Sequence, residues 1–277
     1  LLGGNTLFIF QLLLVAKIFR IKFILYSLGI GPINSWHAKL LAKFIIKEAD
    51  LVGVRTEGDK AYIREIFKNN LKKEVFVTGD TSLLLNGRRY PAKRRDGLFL
   101  GVNLREYPFK SHQKRDFFIK GLNKTFDFMI EQYNAKLIFL PFQSPQDNAF
   151  YFTLKERLKD KILLFKESYA LEEMLDCISG LDLVIAMRLH AAILSSLTAT
   201  PFICLSYDPK VDYFLEDLGY SDYSISLERF DPLSLKSKFI SILNNDNAKA
   251  ILEEKVDSLR EKTAKRQDSF ISGIFNL

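Results

Sequence analysis

The segment 183–219 reads LVIAMRLHAAILSSLTATPFICLSYDPKVDYFLEDLG, and its reading decides the fold. Leu183 to Met187 (LVIAM) is an unbroken apolar run of strand length, and Leu189 to Thr198 reads as a helix. Phe202 to Ser206 (FICLS) is a second apolar run, followed by a helix over Lys210 to Leu218. Short, fully apolar runs alternating with helix-length segments predict parallel strands joined by βαβ crossovers, because a parallel sheet is covered on both faces.

The same alternation extends outward in both directions. Upstream lie strands at Gly97 to Leu104 (GLFLGVNL), Ala135 to Leu140 and Ile162 to Phe165. Helices fall between them at Gln113 to Gln132, from Ser144-Pro145 to about Lys159, and at Ala170 to Cys177. Pro145 takes the first helical position, where a missing N–H costs nothing. Downstream, Pro232 to Leu243 and a charged amphipathic tail from Asn247 to about Ser272 read as helices. At least five strands make this half a complete doubly wound domain.

Ahead of it, Asn86 to Asp96 (NGRRYPAKRRD) concentrates charge, Gly and Pro and reads as a domain boundary. The half before the boundary carries about three strands: Lys22 to Ser27, Leu51 to Val54 and Glu74 to Thr78. Its helices are Thr6 to Phe19, Ser35 to Glu48 with Leu40, Leu41, Phe44 and Ile45 as apolar face, and one capped by Thr56 that runs to about Lys68. The expected class is α/β, two doubly wound Rossmann-like domains. The expected domains are 1–92 (an incomplete N-terminal Rossmann-like domain), 93–245 (the C-terminal one, with the donor site) and 246–277 (an amphipathic helix). Together they resemble the GT-B architecture. Opening on Leu1 and Gly3-Gly4, the sequence reads as lacking the first part of the N-terminal domain.

Composition narrows the function. With 48% hydrophobic and 26% charged residues among 277, the chain is globular and not disordered. A net charge of +7 fits an anionic substrate or a membrane surface without requiring nucleic acid. The two cysteines, Cys177 and Cys204, cannot build a disulfide framework and read as buried thiols in a reducing compartment. The apolar stretch from Leu7 to Leu28 is interrupted by Lys17, Arg20 and Lys22, short of the roughly 20 residues a bilayer needs. A buried helix followed by a buried strand is the expectation there, and no signal peptide is visible.

Ligands of open parallel sheets bind at the carboxyl ends of strands, so the residues that follow each strand are the candidates. Arg55, Asp80 and Arg105 each follow one, and Pro141, Phe142 and Gln143 follow another. Arg188-Leu189-His190 follows LVIAM, and Tyr207, Asp208, Pro209 and Lys210 follow FICLS. Arg188 offers a bidentate fork for carboxylate or phosphate at a helix N-terminus, which already favours anions. His190 brings an imidazole, the side-chain type best suited to moving a proton at physiological pH. His37 and His112 read as incidental. There is no GxxxxGK(S/T) phosphate loop, no complete dinucleotide fingerprint, no metal-ligand cluster, no Asp-x-Asp pair and no GxSxG elbow. What remains is a site without metal or cofactor that handles an anion with Arg, Lys and His.

The RLHA and YDPK segments closely resemble the core motif of the polysaccharide pyruvyl transferase family, in particular the bacterial branch that pyruvylates cell-wall polymers anchoring S-layers. Other landmarks agree in order: Gly3-Gly4-Asn5-Thr6-Leu7, Gly29-Ile30-Gly31-Pro32-Ile33, Val54-Arg55, Thr78 to Asp80, Gly101 to Arg105, and Leu140-Pro141-Phe142 with Asp147. Thr56 stands where the family usually has Asp, and Asn5 replaces a third glycine.

The resemblance implies transfer of pyruvate from phosphoenolpyruvate to two hydroxyls of one sugar, giving a cyclic ketal and phosphate. It implies Arg188 and the Leu189-His190 turn on the donor, with Arg105 as second clamp and His190 as proton carrier. Lys210, beside Tyr207 and the Asp208-Pro209 turn, is implied to hold the leaving phosphate, and Arg55 the donor or an acceptor phosphate. The implied partners are phosphoenolpyruvate and a glycan or lipid-linked sugar at the cytoplasmic membrane face. The basic surface and the tail helix suit peripheral membrane contact, and packing within the fold is the competing reading of that tail. Two rivals stand beside this reading: a GT-B glycosyltransferase using a nucleotide sugar, and a non-catalytic anion-binding relative.

Overall fold

A computed structural model describes residues 6–31, 33, 35–85, 97–144 and 146–275. The expected boundary at 86–96, the Gly3-Gly4-Asn5 turn, Pro32 and Pro145 lie outside the described residues. The chain folds as two units: Leu1–Leu85 with Asp208–Gly219 and Asp257–Leu277, and Asn86–Tyr207 with Tyr220–Val256.

The first unit opens with α1 (Thr6–Ile18), β1 (Ile24–Leu28), α2 (Trp36–Glu48), β2 (Leu51–Val54), α3 (Glu57–Ile66) and β3 (Phe76–Val77). Its strands pair in parallel in the order β1-β2-β3. All four residues of β2 are buried, as a central parallel strand requires. Thr56 starts α3 through a capping box. Its hydroxyl accepts the Asp59 amide, and the Asp59 carboxylate accepts the Thr56 amide, both at 3.1 Å.

Three expectations shift here. The helix α1 is not a buried helix: among its residues only Thr6, Leu13 and Ala16 are buried, while Leu7, Phe8 and Ile18 are exposed. The chief neighbour of α1 is α2, so only the stripe turned toward its partner is covered. In α2 the buried stripe is Ala42, Ile45 and Ile46, and Leu40 and Phe44 face outward, Phe44 edge-on to Phe10 at 5.7 Å. Apolar residues on both sides of that helix leave its inner face undecided by spacing. Finally, β3 spans two residues where Glu74 to Thr78 was expected.

The second unit contains β4 (Leu98–Asn103), α4 (His112–Tyr133), β5 (Ala135–Phe139), α5 (Gln146–Leu158), β6 (Ile162–Leu164), α6 (Leu171–Ser179), β7 (Leu183–Ala186), α7 (Leu189–Leu197) and β8 (Phe202–Ser206). After α8 (Pro209–Leu218), which belongs to the first unit, come β9 (Ser224–Ser226), α9 (Pro232–Leu243) and α10 (Ala248–Phe275). The strand β9 has no counterpart in the sequence reading, because a three-residue Ser-Ile-Ser edge carries almost no period. His112 opens α4. Cys204 is buried and Cys177 only partly so, and neither is in a disulfide.

Two segments fall differently from a linear division. Residues 208–219 and 257–277 group with the first unit rather than with 93–245 or a separate helix. Close approaches explain this. The Tyr213 ring of α8 lies directly over Gly58 of α3, and a Cβ on Gly53 would lie 2.7 Å from the Phe270 ring of α10. Tyr26 also donates to Gln267 Oε1 at 2.7 Å.

The sheet of the second unit runs β6-β5-β4-β7-β8-β9, every pair parallel. The chain therefore proceeds from β4 outward to β6, then resumes on the other flank of β4 with β7. That reversal puts a topological switch point beyond the carboxyl ends of β4 and β7, where open α/β sheets bind ligands. No described helix is long and apolar enough to cross a membrane.

Candidate functional site

Three strand ends of the second unit are joined by one side chain. Asn103, the last residue of β4, is fully buried. Its Nδ2 donates to Leu140 O at 2.9 Å, just past β5, and its Oδ1 accepts the Arg188 amide at 3.0 Å, just past β7. Met187 N also donates to Asn103 O at 2.9 Å. A buried amide must satisfy both of its ends, and here each end closes a different seam of the sheet.

Arg188 is the N-cap residue of α7. Its Nε donates to Asp147 Oδ2 at 2.8 Å and to Oδ1 at 3.0 Å, and Nη2 also reaches Oδ1. Asp147 is fully buried and accepts in addition the amides of Phe142 and Gln143, each at 3.0 Å. The Tyr169 hydroxyl donates to Pro141 O and so ties down the same loop. Burial, followed by the negative charge of Asp147, raises the Tyr169 pKa above the ordinary phenol value, with Arg188 acting in the opposite direction. The Nε–Nη2 fork expected to face a ligand is therefore committed to Asp147. Nη1 is not part of that fork, and the Arg188 side chain keeps 13% of its surface exposed.

Leu189 and His190 form the start of α7, where the helix dipole is positive. Leu189 is buried and His190 is exposed on the same turn. Arg105, two residues beyond β4, donates from Nη1 to the Tyr207 hydroxyl at 3.2 Å, with its guanidinium carbon 5.5 Å from the Tyr207 ring centroid. The Tyr107 ring lies beside that of Tyr207, centroids 5.8 Å apart. Five of the expected site residues, Arg105, Arg188, Leu189, His190 and Tyr207, thus belong to the carboxyl edge of one sheet.

Arg55, Asp208 and Lys210 belong to the first unit. Arg55, just past β2, donates from Nε to Ser27 O at 3.0 Å and pairs through Nη1 with Asp80 Oδ2 at 3.1 Å. Asp80 is buried, and its other oxygen accepts the Ser82 amide at 2.9 Å. Beside them, Ile30 N donates to Asp59 Oδ1 at 2.8 Å, which pins the Gly29-Ile30-Gly31 turn to the start of α3. Burial raises the Asp59 pKa above the usual carboxylate value, against the lowering effect of the Thr56 hydroxyl and of the Ile30 and Thr56 amides. Asp208 caps α8 by accepting the Lys210 amide at 3.1 Å, and Lys210 Nζ pairs with Asp208 Oδ2 at 2.8 Å.

Sequence reasoning gave no role to Asn103 or Asp147. A polar residue ending an apolar strand (GLFLGVN) was the available signal for Asn103, and the Leu140-Pro141-Phe142 landmark with Asp147 for the other.

The family model of polysaccharide pyruvyl transferases matches residues 1–209. The chain belongs to that family. The match takes in the whole carboxyl edge just described and stops one residue before Lys210. No curated protein matches this pyruvyl transferase family chain. Among solved structures it is similar to Anabaena HepE in complex with UDP-glucose, with a TM-score of 0.66 and 11% identity over 97% of this chain and 76% of that one. Sucrose-phosphate synthase from Thermosynechococcus elongatus gives 0.65 and 14% over 96% and 72%. UDP-GlcNAc 2-epimerase from Methanocaldococcus jannaschii gives 0.56 and 16% over 92% and 74%. At such identities the likeness establishes the fold, which is α/β of the GT-B kind.

Proposed function

We propose that this protein transfers the enolpyruvyl carbons of phosphoenolpyruvate to two hydroxyls of one sugar in a polysaccharide or its lipid-linked precursor. The family membership supports pyruvyl transfer, and the observation that carries the donor assignment is the switch-point edge, with Arg105, Arg188 and the α7 N-terminus at the ends of β4 and β7. Phosphoenolpyruvate bears a carboxylate and a phosphate, and the Arg105 guanidinium, the N–H groups that Arg188 keeps outside its fork and a helix N-terminus are donors suited to such an anion.

The chemistry balances without further reactants. One sugar hydroxyl adds to C2 while C3 gains a proton. The second hydroxyl forms another bond to C2 as the C2–O bond to phosphate breaks, and its proton leaves with the phosphate. His190 is the group assigned to proton movement, worth about 10²–10⁴-fold in rate when well placed. Lys210 with the leaving phosphate, Arg55 with an acceptor phosphate and membrane-face attachment belong to the same proposal.

The deciding experiment mixes purified protein, phosphoenolpyruvate and a glycan acceptor. Acceptor-dependent phosphate release with a ketal product supports the reading. HepE was solved with UDP-glucose, so the rival is glycosyl transfer from a nucleotide sugar. Such transfer without consumption of phosphoenolpyruvate overturns the proposal, and binding of phosphoenolpyruvate without turnover supports an anion-binding relative instead.

A further inference from the structure

We infer that Asp147 is the positioning residue of the donor site: its buried carboxylate sets the direction of the Arg188 guanidinium. The inference rests on the reading of Arg188 as a donor-binding group.

A carboxylate has about four acceptor positions. Those of Asp147 are taken by the Phe142 and Gln143 amides and by Nε and Nη2 of Arg188. With its surface fully buried, Asp147 has nothing left to offer a ligand. It acts through Arg188, from 41 residues away in sequence. A buried ion pair adds little net stability over an apolar pair, but it has a definite geometry. An arginine side chain has considerable rotamer entropy to lose, and here that freedom is removed before any ligand arrives. Asn103 fixes the Arg188 backbone and Asp147 fixes the far end of its side chain, so the residue is held at both ends. Because the pair is nearly neutral, what Arg188 supplies is a hydrogen-bond direction more than net attraction.

Asp147→Asn keeps the volume but points an amide N–H₂ at the arginine donors, so the fork opens while the guanidinium charge stays. The Tyr169 bond to Pro141 still holds the loop. In protein with ¹⁵N-labelled arginine, the Arg188 Nε–H signal is assigned by its loss in Arg188→Lys. Exchange of that proton with water should be at least about 10-fold faster in Asp147→Asn than in the unmodified protein. In turnover, kcat should fall about 10²-fold, as misorientation does, while KM for phosphoenolpyruvate changes less than about threefold. Unchanged exchange overturns the inference. So does a rise in KM at constant kcat, which is the signature of a plain charge clamp. If Asp147→Asn does not fold, Arg188→Lys, which keeps the charge without the fork, should show the same loss of kcat, and full activity in it overturns the idea. If the unmodified protein consumes no phosphoenolpyruvate, the proposed function fails while the exchange measurement still decides the role of Asp147.

Discussion

Asn103 Oδ1 accepts the backbone amide of Arg188 at 3.0 Å, so the residue that ends β4 also holds the first turn of α7 in place. Removing that side chain strands the buried Leu140 O and the part-buried Arg188 N–H. Each unsatisfied group costs about 1–3 kcal/mol. Asn103→Ala should therefore lower unfolding stability by at least about 2 kcal/mol in urea titration. The surviving folded fraction should also bind phosphoenolpyruvate more weakly, because the amide-bearing helix start is no longer fixed. A stability change under about 0.5 kcal/mol would show that water replaces the amide and that the seam is not what places Arg188.

His190 separates chemistry from folding. It is exposed at the start of α7, while its neighbour Leu189 is buried and carries the packing. His190→Ala should keep the melting transition close to that of the unmodified protein while phosphate release falls about 10²–10⁴-fold. Retained turnover in a folded variant removes the imidazole from proton transfer.

The apolar runs Leu183–Ala186 and Phe202–Ser206 became the buried strands β7 and β8, since full burial in a parallel sheet leaves no other pattern. Thr56 was legible as a cap because its partner Asp59 lies three residues on. Local signals end there. Nothing near Arg188 in the chain announces Asp147, and the amphipathic pattern of the tail does not say that Phe270 meets Gly53. The exposure of α1 and the inner face of α2 escape the sequence for a related reason: where apolar residues surround a helix, only the tertiary partner decides which stripe is buried.

Arg105 and Tyr207 test whether the phenol hydroxyl orients the second clamp. The guanidinium meets both the hydroxyl, at 3.2 Å, and the ring, at 5.5 Å. Tyr207→Phe removes only the first contact and should raise KM for phosphoenolpyruvate a few-fold. Arg105→Ala should raise it about 10-fold or more, in line with loss of a charge-assisted hydrogen bond of about 1.5–3 kcal/mol. If the hydroxyl acts through Arg105, adding Tyr207→Phe to Arg105→Ala changes nothing further. Additive effects in this cycle show that Tyr207 meets the substrate by itself.

Asp59 gives a pH signature in the first unit. Burial outweighs its hydrogen bonds and places its folded pKa above the unfolded one. The protonated form is therefore favoured by folding. Its contribution is complete below the unfolded carboxylate pKa of about 3.9 and is lost as pH rises through the raised folded value. Asp59→Asn cannot ionise. The stability of the unmodified protein minus that of the variant should fall as pH increases from about 4 and then level off. Urea titrations across the acid range measure it, and a difference that grows with pH would mean that the Thr56 and Ile30 bonds prevail over desolvation.

Gly53 and Phe270 decide how the tail helix joins the first unit. A Cβ at Gly53 would lie 2.7 Å from both the Phe270 ring and the Thr78 methyl group, closer than packed carbons tolerate. Phe270 is fully buried and stacks on Tyr26 at 5.3 Å, so the ring cannot swing aside without giving up that contact. Gly53→Ala should then cost about 1–3 kcal/mol, the usual penalty for overpacking. Phe270→Leu alone should also destabilise, by loss of ring packing. The two together should cost less than the sum of the singles, because the smaller side chain gives the new methyl group room. Strict additivity in urea titrations would place the clash at Thr78 and leave α10 free of any role in holding β2.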